Sequence, residues 1–171
     1  MATTYTLISS NVFSSNAMSV TFSAIPATYT DLMLRISGLT SYGNYYDDLK
    51  IIINSDTATN YSYTAVYGNG TSGGSLASSG LSFANARFCM NGSFSSGFGN
   101  AEVYIPNYLV SAHKQISSFG VAERNSADTN LGATAILWRN NASITSLILS
   151  SANNGTLQSN SSFYLYGIKN S

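Results

Sequence analysis

Short stretches in which apolar and polar residues alternate recur along the chain, and clusters of Ser, Asn and Gly separate them. Alternation with a period of two is the pattern of a half-buried β-strand, and the helical period is absent almost everywhere. The clearest stretch covers residues 31–37, where Leu32, Leu34 and Ile36 fall on one face. The other predicted strands cover residues 4–9, 19–23, 49–54, 61–67, 81–90, 101–106, 115–122, 133–138, 144–149 and 163–168. About ten short antiparallel strands predict an all-β sandwich or barrel.

Segments rich in Gly and Asn join these predicted strands. Segment 68–80 is the longest of them and predicts a surface loop. Residues 152–156 predict the turn of a hairpin between the strands on either side. Helix is expected only as one turn over residues 108–113. The length of 171 residues predicts a single domain over 1–171, with the first and last strands paired or adjacent.

Charge is scarce and balanced in this sequence. Charged residues make up 8% of the chain, and seven basic residues cancel seven acidic ones. Ser, Thr and Asn supply 63 residues, so the polar surface is largely neutral. A nucleic-acid partner is not expected, because phosphate binding needs a basic stripe. A net charge near zero favours association, so we expect a partner to cover part of the surface.

Cys89 is the single cysteine, which excludes an intrachain disulfide. One His and one Cys cannot form a zinc site, and no cofactor is expected. The first residues lack the basic and apolar segments of a signal peptide, and no apolar run is long enough to span a membrane. We therefore expect synthesis in the cytosol, a soluble product and no membrane partner.

Two residues, Ser72 and His113, are of the types that act as a nucleophile and a general base. Ser72 lies in a G-x-S-x-G pattern, whose chemistry needs a strand-to-helix elbow with a histidine nearby. No helical pattern follows Ser72, and His113, the only histidine, has Lys114 beside it instead of a carboxylate. The sequence therefore favours a flexible loop at Ser72, a surface histidine at His113, and a protein that is not an enzyme.

A cluster of tyrosines beside two acidic residues is the best candidate contact surface. Tyr42, Tyr45 and Tyr46 precede Asp47 and Asp48 in a predicted loop, and such clusters stack on sugar rings or anchor interfaces. The alternative is ordinary packing of aromatic residues on strands. Calcium binding by these aspartates is a further alternative, but their spacing matches no calcium loop. Turn-capping aspartates and a solvated acidic pair are the favoured interpretation.

Several short motifs are spread over most of the chain. They are IPATYTDL at 25–32, INSD at 53–56, NYS at 60–62, AEVYIPNY at 101–108, LWR at 137–139, ASITSL at 142–147 and FYLYGIKN at 163–170. These motifs resemble a family of small virion proteins of tailed bacteriophages, which occur as stand-alone proteins and as modules at the ends of tail fibres. The ending LYGIK at residues 165–169 is the most distinctive part of the resemblance, and none of the motifs is a catalytic signature.

The resemblance implies a jelly-roll-like β-sandwich on the exterior of a virion, commonly a homotrimer. It implies a capsid decoration or cement protein that binds the major capsid protein or another virion protein and stabilises the head. The alternative is a receptor-binding or glycan-binding module of a tail fibre or head fibre. In that case the tyrosine cluster and segment 68–80 would contact a glycan on the host surface.

Overall fold

The computed structural model describes residues 4–95, 97–123 and 128–169. Twelve β-strands and no helix are found in these ranges. The strands are β1 (Tyr5–Val12), β2 (Ser19–Phe22), β3 (Asp31–Gly38), β4 (Tyr46–Ile53), β5 (Tyr61–Gly68), β6 (Gly73–Leu81), β7 (Ala84–Asn91), β8 (Gly99–Ile105), β9 (Lys114–Glu123), β10 (Thr129–Trp138), β11 (Leu147–Ser151) and β12 (Ser162–Ile168).

The strands form two antiparallel sheets with the strand order of a jelly roll. One sheet contains four strands in the order β2-β11-β4-β7. The other contains eight strands in the order β1-β12-β3-β8-β9-β10-β5-β6. The first four of these strands and the small sheet together make the eight-stranded double Greek key of a jelly roll. The prediction of an antiparallel, jelly-roll-like β-sandwich in a single domain is confirmed.

Four strands extend the large sheet beyond this jelly roll. Strands β9 and β10 are paired neighbours that lie between β8 and β11 along the chain, and β5–β6 is a hairpin inserted between β4 and β7. Strand β9 pairs with β8, and β10 pairs with β5, so the two pairs lie side by side. The large sheet is therefore twice as wide as the small one.

The hydrophobic core lies between the two sheets and follows the predicted alternation. Leu32, Leu34 and Ile36 of β3 are buried, and their neighbours Met33 and Arg35 face outwards. Trp138 closes the core at the end of β10, where its indole donates a hydrogen bond to the Asp56 carboxylate at 2.8 Å. The first and last strands pair along their whole length, which confirms the expectation that the termini meet.

Segment 68–80 was predicted as a loop, and this prediction is wrong. Residues 73–81 form the edge strand β6, paired with β5 from Gly68 to Tyr61. Asn69 holds the tight turn between them, because its side-chain oxygen accepts hydrogen bonds from the backbone of Thr71 and Ser72. Gly and Ser have low strand propensity, so pairing with a neighbouring strand decides the structure here.

The predicted hairpin around residues 152–156 is also wrong. Strand β11 before this segment pairs with β2 and β4, and β12 after it belongs to the other sheet. Both edges of β11 are already occupied, so the segment carries the chain across the end of the sandwich. Residues 144–146 are not part of β11, although Ile144 is buried in the core.

Residues 108–113 form turns and not the predicted helical turn. Lys114 is buried directly after them, and its ammonium group donates to the carbonyl oxygens of Val110 and Ala112 at 2.7 and 2.6 Å. Carbonyl groups that bind the lysine fix this non-helical path. Burial lowers the pKa of Lys114 from its ordinary value.

Candidate functional site

The acidic pair predicted to be solvated is buried in β4, and that prediction is wrong. Asp47 accepts hydrogen bonds from the Thr40 hydroxyl at 2.7 Å, from the Asp48 backbone at 2.8 Å and from the Asn153 amide at 2.8 Å. These contacts join β4 to the segments on either side of it. Two adjacent residues of one strand are both buried because the register with β7 shifts between Asp47 and Leu49.

Asp48 forms a buried ion pair with Arg87 of β7 and accepts the Phe88 backbone N–H at 2.9 Å. Phe88 has a φ of +55°, a conformation that non-glycine residues rarely adopt. The carboxylate therefore stabilises a strained position of β7. Burial raises the pKa of Asp48 to about 6, although the Arg87 guanidinium acts in the opposite direction.

The three candidate tyrosines do not form a common stacking surface. The ring of Tyr45 packs edge-on against Phe94, with the ring centres 5.6 Å apart. Tyr46 is the first residue of β4, and its ring lies 4.3 Å from that of Phe88. Tyr42 is half-buried, and its carbonyl oxygen accepts the Ser93 N–H at 2.8 Å. These contacts are those of packed residues at the end of the sandwich.

The two catalytic candidates lie in different turns. Ser72 is exposed between β5 and β6, and its hydroxyl donates to Asn69 at 3.1 Å. His113 is exposed directly before β9. No hydrogen bond joins them in the described ranges, and no three His, Cys, Asp or Glu residues gather there to hold a metal ion. No helix long and apolar enough to cross a membrane occurs among the described residues either.

The outer face of the eight-stranded sheet is the most extensive feature that the sequence did not predict. Strand register aligns its side chains in three rows that run from β1 to β6, and none of these residues is buried. The first row is Val12, Ser162, Ser37, Asn100, Val121, Leu131, Gly68 and Gly73. The second row is Ser10, Tyr164, Arg35, Glu102, Phe119, Ala133, Val66 and Ser75. The third row is Leu7, Tyr166, Met33, Tyr104, Ser117, Ala135, Thr64 and Ala77.

These three rows, called the outer face below, contain only two charged residues. Arg35 and Glu102 sit opposite each other and pair at 2.6 Å. Beside them lies a cluster that we call the apolar patch, in which Phe119 is 50% exposed. Few charges together with Tyr, Phe, Met and Arg are the composition of a protein interface core. The apolar patch consists of Val66, Phe119, Val121, Leu131 and Ala133.

A groove of about 840 Å³ lies on the outer face beside the apolar patch and crosses β8, β9, β10, β5 and β6. Its floor contains the third-row residues from Tyr104 to Ala77. A further row, formed by Gln115, Leu137, Ser62 and Ser79, lines its side. None of its lining residues is charged. The volume lies within the usual range for ligand-binding clefts.

The ring of Tyr104 stands at one end of this groove and is held in place. Its hydroxyl donates to the buried Asp31 carboxylate at 2.7 Å, and the other oxygen of Asp31 accepts the Asn107 N–H at 2.8 Å. The hydrogen bond to Asp31 raises the pKa of Tyr104 to about 12. Tyr104 therefore stays protonated and presents a fixed ring to the groove.

The alternating pattern of β5, β9 and β10 indicates which of their residues face outwards. It does not indicate which strands are neighbours, and only the strand order of the sheet brings the groove residues together. Residues 104, 117, 135, 64 and 77 come from five strands and are far apart in sequence. Comparisons of the chain with protein-family models, with curated protein sequences and with solved structures find no match. The outer face and its groove are therefore interpreted from their own chemistry.

Proposed function

We propose that this protein is a non-enzymatic structural protein of a bacteriophage virion that binds the outside of the head and stabilises it. The jelly-roll strand order, which capsid domains also use, supports the proposal. The sequence motifs described above point in the same direction. The homotrimer and the contact with the major capsid protein remain predictions from the resemblance.

The exposed apolar patch is the observation that carries the proposal. Phe119 and Val66 are 50% and 56% exposed, and Leu131 is 42% exposed. All three belong to neighbouring strands of one sheet face, and a contiguous apolar surface of this kind marks a site of protein association. We therefore assign the apolar patch as the surface that meets the particle.

Immunogold electron microscopy of virions from the source that encodes the chain tests this function. Label spread over the heads is the expected result, and absence of the chain from particles would overturn the proposal. Adding purified protein back to stripped heads then tests the surface. The variant Phe119→Asp should bind at least tenfold more weakly, because a charge enters a desolvated contact. Met18→Asp, at an exposed apolar residue outside the face, should bind normally.

A receptor-binding module of a fibre is the second candidate, and the groove favours it. An uncharged cleft of this volume is suited to bind a ligand on a host surface, and docking on a capsid through the apolar patch does not require it. Label confined to the tail or to fibres would support this candidate and exclude head decoration. In that case, free protein should also compete with virions for adsorption to the host.

A further inference from the structure

We propose that the groove on the outer face binds a neutral oligosaccharide. The inference deepens the second candidate function, because it names the class of ligand that the groove binds. It rests on that function only for the location of the sugar on the host surface, since a protein on the head can carry the same groove. It differs from the predicted contact at Tyr42–Asp48, where the rings of Tyr45 and Tyr46 pack against Phe94 and Phe88 and the Asp47 carboxylate accepts a hydrogen bond from Thr40. Part of segment 68–80 does contribute, because Ala77 and Ser79 line the groove.

The hydrogen-bonding groups of the groove point to a ligand rich in hydroxyl groups. Its floor is the face of a sheet, where backbone N–H and C=O groups are already paired between strands. The polar groups left for a ligand are side chains, among them the hydroxyls of Ser62, Thr64, Ser79 and Ser117. None of these forms a hydrogen bond with the described part of the chain. A peptide strand, by contrast, binds through an open sheet edge.

The apolar part of the groove matches the C–H faces of a sugar ring. Ala135, Leu137 and Ala77 supply flat aliphatic surface between the hydroxyls. The fixed ring of Tyr104 adds an aromatic wall at one end. Pyranose rings carry C–H groups on their faces and hydroxyls at their edges, so they satisfy an alternating surface of this kind. Aromatic side chains with a polar tip are well suited to such amphipathic ligands.

Charge complementarity selects a neutral sugar over an acidic one. The groove lining contains no Lys or Arg that could neutralise a carboxylate, sulfate or phosphate. Within the three rows, the two charged residues, Arg35 and Glu102, already neutralise each other. An acidic polysaccharide would lose hydration in the groove without gaining an ion pair. The ligand class is therefore an uncharged, extended oligosaccharide.

A printed array of neutral and acidic bacterial surface polysaccharides, probed with the full chain, tests this inference. We expect binding to neutral glycans, with affinity measured afterwards by calorimetry on the bound polysaccharide. Binding to no neutral glycan on the array, or to acidic glycans alone, would overturn the inference.

Matched variants locate the binding site. Ala135→Trp fills the floor of the groove and should weaken binding at least tenfold, while Ala133→Trp lies on the same strand and face outside the groove and should bind normally. Ser79→Ala should weaken binding about fivefold, since it removes a hydrogen bond, and Ser75→Ala on the same strand should not. Equal behaviour of the two tryptophan variants would contradict the assignment.

The outcome is separable from that of the proposed function. Ala135→Trp leaves the apolar patch intact, so it should still bind stripped heads if the patch docks there. Phe119→Asp leaves the groove lining intact and should still bind the neutral glycan. Head label without any glycan binding would remove this inference alone. Glycan binding by a chain absent from virions would remove the virion proposal alone.

Discussion

The two sides of strands β9 and β10 differ in what they contact. Their inner side is packed against β7, where the ion pair between Asp48 and Arg87 is buried and the Arg87 backbone N–H donates to the Thr134 hydroxyl of β10 at 3.2 Å. Their outer side exposes Phe119 and Leu131 and carries no charge of its own within the three rows. A buried ion pair of the small sheet therefore lies against one side of these strands, and exposed apolar side chains lie on the other.

We infer from this difference that the two sides serve different purposes. Inside, the carboxylate of Asp48 is needed to hold the strained backbone of β7 at Phe88. Outside, Phe119 is half exposed, and no contact within the described part of the chain explains this position. Exposing its ring to water does not stabilise a monomer. We infer that the hydrogen bonds of the Asp48 carboxyl group stabilise the fold, and the proposed function gives the outer face a role in association.

The variant Asp48→Ala should have the largest effect on the inner side. It removes the counter-charge of Arg87 and the acceptor for the Phe88 N–H, so both groups lose their buried partner. We expect the free energy of unfolding at neutral pH to fall by about 3 kcal/mol. Urea denaturation measures it, and a loss below about 1 kcal/mol would contradict the role given to this carboxylate.

Stability should also depend on pH through Asp48. Its pKa rises from 3.8 to about 6 on folding, so the folded state holds the proton more tightly than the unfolded state. The contribution of this group is fully present below the unfolded pKa and is lost as the pH rises through about 6. Between about pH 4 and pH 7, the titration of this group should lower the free energy of unfolding by about 3 kcal/mol.

The variant Asp48→Asn isolates this contribution, since asparagine does not titrate. The difference in unfolding free energy between the two proteins should change between about pH 4 and pH 7, with the wild type losing stability relative to the variant. Asp56 acts in the opposite direction: burial alone would raise its pKa, but hydrogen bonds from Asn60 and Trp138 outweigh this effect and lower it. A difference that does not vary with pH would show that Asp48 is not the titrating group.

The contact between β7 and the extended sheet is tested by Gly120→Ala. An added Cβ would lie 2.5 Å from the Phe88 carbonyl oxygen, and backbone atoms cannot move away cheaply. Overpacking of this kind should cost about 2 kcal/mol. Gly43→Ala, where the Cβ would meet nothing within 4 Å, is the control and should unfold like the wild type. Equal denaturation midpoints for Gly120→Ala and Gly43→Ala would mean that β7 is not closely packed against Gly120.

The exposed ion pair of the outer face should show the smallest effect. Arg35 and Glu102 are about half exposed, so solvent screens their interaction. Glu102→Ala should lower the free energy of unfolding by less than about 1 kcal/mol. A loss as large as that of Asp48→Ala would end the contrast drawn between the two sides of the sheet.

Much of the fold follows from local pattern. The alternation in residues 31–37 correctly identified the buried Leu32, Leu34 and Ile36, and every predicted strand overlaps a strand of the structure. Strand β6 was missed because Gly and Ser carry little local signal and its pairing with β5 supplies the order. The burial of Asp47 and Asp48 was missed because it depends on a shift of register between β4 and β7.

The amino-acid sequence was sufficient to identify most of the strands, their buried sides and the shortage of charge, because these depend on composition and on a period of two residues. Which strands are neighbours follows from the folded sandwich, and this order brings Phe119, Ala133 and Val66 into one patch and assembles the groove beside it. Pairing between strands far apart in sequence depends on the packing of the whole sandwich. No local pattern encodes that packing.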